Sequence, residues 1–204
     1  MRYLIAFART VDALSERMGQ VAMYITIFTI IIGFYNVVAR YLGRFIEVKL
    51  SSNFFIELQW YLYTLVFFFG FAYIMKHGIN VRVDFFYGRW SNKRKAMLDF
   101  WGHIFLLIPF LILALYVTVD PVLRSWGRLP NGTWGPWEMS PDPSGLPRAP
   151  IKSMILVAFA TLLLQTVAEL IKMYAVIADR RDILEQVRPY IIEEIEREEP
   201  LRIE

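Results

Sequence analysis

The chain has 204 residues, 56% of them hydrophobic and 16% aromatic, with a net charge of +3 and a mean hydropathy of +0.41. That is too apolar for an ordinary water-soluble domain of this size. It contains no cysteine, so disulfides, zinc–thiolate sites and cysteine nucleophiles are excluded.

In residues 1–17 and just beyond, Leu4, Phe7, Ala8, Val11, Leu14 and Met18 recur at helical spacing, with Arg9, Asp12 and Glu16 between them. The pattern predicts either an amphipathic helix lying on the cytoplasmic face of a membrane or a frayed N-terminal turn. Four runs then lack Asp, Glu, Lys and Arg: 18–39, 58–75, 100–119 and 153–168. A helix needs about 20 residues to cross a bilayer core, and the first three runs qualify directly. The fourth qualifies if Glu169 and Lys172 sit at the interface, where long charged side chains snorkel. The first run is longer than the apolar region of a signal peptide, and no small-residue cleavage site follows it, so it reads as a retained span.

These runs predict an all-α integral membrane protein with four transmembrane helices, both termini cytoplasmic, and interfacial amphipathic segments. The layout is a cytoplasmic amphipathic segment at 1–17, a four-helix membrane domain at 18–177, and a cytoplasmic tail at 178–204. The spans fall at about 18–40, 57–76, 99–120 and 151–174. The orientation comes from the cations. The N-terminal segment, the second loop and the C-terminal segment share fifteen Lys and Arg residues, against seven in the first and third loops. The excess belongs on the cytoplasmic side.

The hairpin between spans two and three carries "KHGINVRVDFFYGRW". Gly78 suits a left-handed helix end. Val81 and Val83 alternate with Arg82 and Asp84 as in extended chain, and Asp84 can cap a short amphipathic helix through "FFYGRW". Ser91 or Asn92 can cap the third span. In this reading Arg82 and Asp84 lock the loop or meet a neighbouring subunit. The third loop, 120–152, holds seven prolines and four glycines, which rules out a continuous helix. Its Trp126, Trp134 and Trp137 suit either an anchor at the outer interface or a docking surface for an outer partner. The tail, ending in "IIEEIEREEPLRIE", reads as a short cytoplasmic helix or a solvated segment.

Chemistry-bearing constellations are sparse. No nucleotide fingerprint, P-loop or metalloprotease motif occurs. No cofactor, metal or nucleic-acid partner is expected. His77 ends the second span and His103 begins the third at similar depth, which permits haem ligation in principle, although interfacial or helix-contact roles suit such residues far better. Asn36 and Arg40 share a helix face near the outer surface, level with Glu57, Gln59 and Lys152. An Arg40–Glu57 or Lys152–Glu57 pair would clamp helices together. Gln165 and Glu169 share a face of the fourth span toward the cytoplasm, within depth of Lys76 and Arg82. No charge falls at a bilayer midpoint, where a carrier would place one. The pattern suits an accessory subunit.

Four segments carry a family resemblance: "NVVARYL", "IELQWYLY", "AYIMKHGINVRVDFFYGRWSNKRK" and "SGLPRAPIKSMILVAFATLLLQTVAELIK". In order and spacing, over roughly Asp12 to Tyr174, the chain resembles the small membrane (DctQ-like) subunit of tripartite ATP-independent periplasmic (TRAP) transporters. Asn80 departs from the family, which often has His there, and the "GRLPNGTWGPW" stretch looks like local elaboration. The resemblance implies a non-catalytic scaffold in a bacterial inner membrane. Its partners would be a large elevator-type, sodium-coupled (DctM-like) membrane subunit and a periplasmic substrate-binding protein that delivers a small organic acid or related solute. Two alternatives are a haem-ligating anchor of an electron-transfer complex, through His77 and His103, and a free-standing structural protein of the membrane.

Overall fold

The computed structural model describes residues 2–48, 50–79 and 90–187. Arg82, Asp84, the rest of 80–89 and the acidic tail from 188 lie outside the described residues. The described elements are α1 (Arg2–Phe45), α2 (Asn53–His77), α3 (Asn92–Gly102), a π turn (His103–Leu107), α4 (Ile108–Ser125), α5 (Arg148–Ile177) and α6 (Arg181–Val187). There is no strand among them, only two isolated bridges in the loop between α4 and α5. Four helical stretches are long and apolar enough to cross a membrane: α1, α2, the run from α3 through α4, and α5. Below, inner and outer denote the sides assigned by the Lys and Arg distribution.

The N-terminal segment is neither frayed nor separate. α1 runs unbroken for 44 residues, about 66 Å at 1.5 Å per residue, twice the hydrocarbon thickness. Its buried residues explain why it stays unbroken past residue 17, where the amphipathic segment was expected to end. Ala8, Ser15, Ala22, Thr29, Asn36 and Gly43 recur every seventh residue, and Val11, Met18, Ile32 and Ala39 fill the positions between. A seven-residue seam keeps facing its partners only if the helices supercoil left-handedly. Small residues along it let backbones approach, which is how helices associate where apolar burial gives no net drive. The inner third of the seam, at Ala8 and Val11, packs on Ala168 of α5. Farther out it meets α2. The Gln59 amide lies against Gly33, where an added methyl would sit 2.6 Å from Nε2, and the Tyr35 and Phe55 rings meet edge-on at 5.1 Å.

Helix ends follow local rules. Ser52 caps α2 by accepting from the Phe54 N–H. Gly78 closes α2 in the left-handed region, φ 64°, with its N–H on Met75 O and the Ile79 N–H on Ile74 O. Ser91 occupies the cap position of α3, but its hydroxyl makes no capping bond. The Asn92 side-chain nitrogen is buried without a partner among the described residues.

α5 is the hub: it packs on α1, α2, α3, α4 and α6. The third span touches the bundle chiefly through α5, burying Leu111 and Val122 and meeting Phe159 with Phe110. Its remaining faces, including Phe105, Leu106, Leu113 and Tyr116, are exposed. The π turn precedes Pro109, which has no N–H for the Phe105 carbonyl, and the Ile108 N–H instead reaches back to His103 O. An extra residue per turn at such a point is the usual accommodation of a mid-span proline. At the inner end, α6 folds back so that Ile183 and Leu184 bury against Ala175 and Ile5. The start of the tail is therefore a docked helix.

Candidate functional site

Two polar clusters anchor the bundle, one at each end of α5. The inner cluster joins α1 to α5. Lys172 Nζ lies 2.6 Å from Asp12 Oδ1 and 2.8 Å from Glu169 Oε1. Gln165 donates from Nε2 to the same two oxygens, each at 2.9 Å, and its Oε1 accepts from Ser15 Oγ at 2.7 Å. Gln165, Glu169, Lys172 and Ser15 are all at most 2% exposed. Such a set tolerates burial because each charge meets an opposite one and further hydrogen bonds. This corrects the expectation that Glu169 and Lys172 snorkel at the interface. The long α1 carries Asp12 and Ser15 past them and encloses them. Nearby, Lys76 and His77 at the end of α2 share Glu16 Oε2 of α1, at 2.5 and 3.0 Å.

The outer cluster is built by the proline-rich loop between α4 and α5. Glu57 of α2 accepts from the Ser140 hydroxyl and the Leu146 N–H. Tyr61 Oη reaches Pro147 O at 3.3 Å. Glu138 accepts from Ser125 Oγ at 2.7 Å and from Lys152 Nζ at 2.5 Å. The Trp126 indole N–H donates to Ser153 Oγ at 2.7 Å, and the Trp137 ring meets Trp126 edge-on at 4.6 Å. The loop thus ties α2, α4 and α5 together. Trp126 is a half-buried part of that tie, whereas Trp134 and Trp137 remain exposed.

Neither expected clamp forms. Arg40 is exposed and makes no ion pair among the described residues, and Lys152 pairs with Glu138 in place of Glu57. Asn36, one turn before Arg40, lies on the buried seam, and its Oδ1 has no hydrogen-bond partner among the described residues. An unmet buried carbonyl of this kind costs about 1–3 kcal/mol. The residues missed from sequence are Asp12, Ser15 and Glu16 inside, and Ser140 and Glu138 outside. Asp12 and Glu16 carried a weak signal as acids on an amphipathic segment that is followed directly by a span.

The hydrogen bond from Lys152, then that from Ser125, holds the Glu138 carboxyl below its ordinary value of 4.5. A lowered carboxyl stabilises the fold fully above the unfolded value and loses that contribution as pH falls through the lowered one. The loop should therefore be indifferent to pH from 7 to about 5 and loosen only below 4.5. Tryptophan emission followed through acid titration checks this, and Glu138→Gln should remove this component of the transition.

The profile of the DctQ component of tripartite ATP-independent periplasmic transporters matches residues 29–175, well over half the chain. The chain belongs to the DctQ family. It is thus a multi-pass membrane protein and the small permease component of a TRAP transporter, a transporter-component family and not a known enzyme family. None of the curated proteins and none of the solved structures matches it significantly. The haem alternative is not favoured in this DctQ chain. His77 is held by Glu16, and His103 Nδ1 is bonded to the Asp99 carbonyl of its own helix. The helices that bear them pack on α5 more than on each other.

Proposed function

We propose that this DctQ chain is the stationary small subunit of its transporter, without enzymatic activity or a transport site of its own. It widens the fixed part of a large, elevator-type, DctM-like membrane subunit in a bacterial inner membrane. Together with a periplasmic substrate-binding protein, the pair performs sodium-coupled uptake of a small organic acid or related solute. One observation carries the scaffold reading. The buried charges at the inner end are engaged in a network whose effect is to fix α1 on α5. A carrier would hold such groups near the midplane, exchangeable with a substrate or ion. The exposed Trp134 and Trp137 on a loop braced against three helices suit contact with the binding protein.

The test is purification of the tagged chain from native membranes in mild detergent, with mass spectrometry of stoichiometric partners. Recovery of one large polytopic membrane protein is expected. Recovery of a redox protein, or of the chain alone, would overturn the reading.

A further inference from the structure

The third span packs chiefly on α5, and an open cleft of about 550 Å³ lies between α2, α4 and α5. Its wall on α2 runs from Ile56 to Phe68 and its floor on α5 from Arg148 to Ile155, about 10–18 Å along the helix axes. That is the depth of a single leaflet, half of the roughly 30 Å core. All its charged lining residues, Glu57, Asp142, Arg148 and Lys152, lie at the outer mouth, and the deeper part is uncharged, with the hydroxyls of Thr64 and Thr118 bonded to carbonyls of their own helices.

The charges at the mouth divide into two kinds. Glu57 is held by the loop and Lys152 by Glu138. Arg148 and Asp142 make no direct hydrogen bond or ion pair through their side chains among the described residues, although the Arg148 charge also faces the Glu57 and Glu138 carboxylates. They are opposite in sign, so an anionic headgroup would satisfy one and be repelled by the other. A headgroup carrying both a phosphate and a primary ammonium satisfies both.

We propose that this cleft is a binding site for one outer-leaflet phospholipid with a zwitterionic, ethanolamine-type headgroup. An acyl chain fills the apolar depth, the phosphate accepts from Arg148, and the ammonium donates to Asp142. A transmembrane helix from a partner fits less well, because it would need a groove running through both leaflets and would bury Asp142 without a counter-charge of its own.

The test uses the full chain, with any co-purifying subunit, in mild detergent. Native mass spectrometry is run with added phosphatidylethanolamine or phosphatidylglycerol. One phosphatidylethanolamine per chain should be retained. Arg148→Gln should weaken retention by about tenfold or more, the worth of one charge-assisted hydrogen bond. Asp142→Asn should erase the preference over phosphatidylglycerol. Arg124→Gln, which breaks an exposed ion pair with Asp120 outside the cleft, should change nothing. Equal retention by the Arg148 and Arg124 variants, or no retention by the unaltered chain, would overturn the proposal. So would efficient short-range crosslinking of a Thr64→Cys variant to a protein helix, which would assign the cleft to a partner subunit. The chain's lack of native cysteine makes that labelling specific.

Discussion

Lys172→Met is expected to destabilise the bundle by about 3–5 kcal/mol, the usual cost of leaving buried charges without their counter-ion. Lys172 is 2% exposed and is the ammonium shared by Asp12 and Glu169. Removing it brings two carboxylates together around a gap, and α1 loses its charged link to α5. Thermal unfolding in detergent reads the effect directly. A second variant separates charge from packing. Lys172→Met combined with Asp12→Leu and Glu169→Leu removes the stranded charges and should recover much of the loss, because well-packed apolar sets often match buried ion pairs in stability. A single variant as stable as the unaltered chain would show that the network does not hold α1 on α5.

Gly127→Ala should be the most damaging change in the outer loop. Gly127 has φ 98°, a conformation L side chains rarely adopt, and its added methyl would overlap the Gly135 carbonyl oxygen. The obstacle is backbone, so no side chain can swing aside. The conformational penalty is about 1–2 kcal/mol and the overlap adds about 1–3 kcal/mol. Two backbone bonds bracket the site, Gly127 N–H to Arg124 O at 2.9 Å and Gly135 N–H to Gly127 O at 2.7 Å. Their loss should free Trp137 from Trp126, shift tryptophan emission to the red, and expose the loop to protease. Gly132→Ala, with φ 82° but nothing within 4 Å of an added methyl, should show the conformational part alone. Equal effects at the two positions would refute the clash.

The spans were legible because uncharged runs of bilayer length have few other uses, and the helix end at Gly78 was legible because only glycine suits that geometry cheaply. The α1 seam was also present in the sequence, as small or polar residues every seventh position from Ala8 to Gly43. It is easily overlooked because apolar residues surround it on every side, so hydrophobicity alone carries no period. Site pairings were poorly legible. Glu57 was expected to take a cation, yet its partners are a hydroxyl and a backbone N–H from a loop more than eighty residues away. Any residue but proline can supply a backbone N–H, so the sequence does not mark it. Glu169 and Lys172 were judged from their own helix, where only the interface offers them polar partners. Their counterpart, Asp12, lies in a segment whose continuity with the first span is marked only by that seven-residue seam.

The central place of α5 sets an order for the birth of the protein. Chains emerge from the ribosome N-terminus first, and α1 and α2 can pair as soon as both are inserted, since they share the seam. The third span comes next but has almost nothing to rest on, because its neighbour is the last of the four to be made. It must wait in lipid as a lone helix until α5 arrives, and α5 then gathers every earlier span in one step. A nascent chain stalled before residue 148 should therefore hold a paired α1–α2 and a detached third helix, which makes that interval the moment at which membrane quality control can most readily capture it.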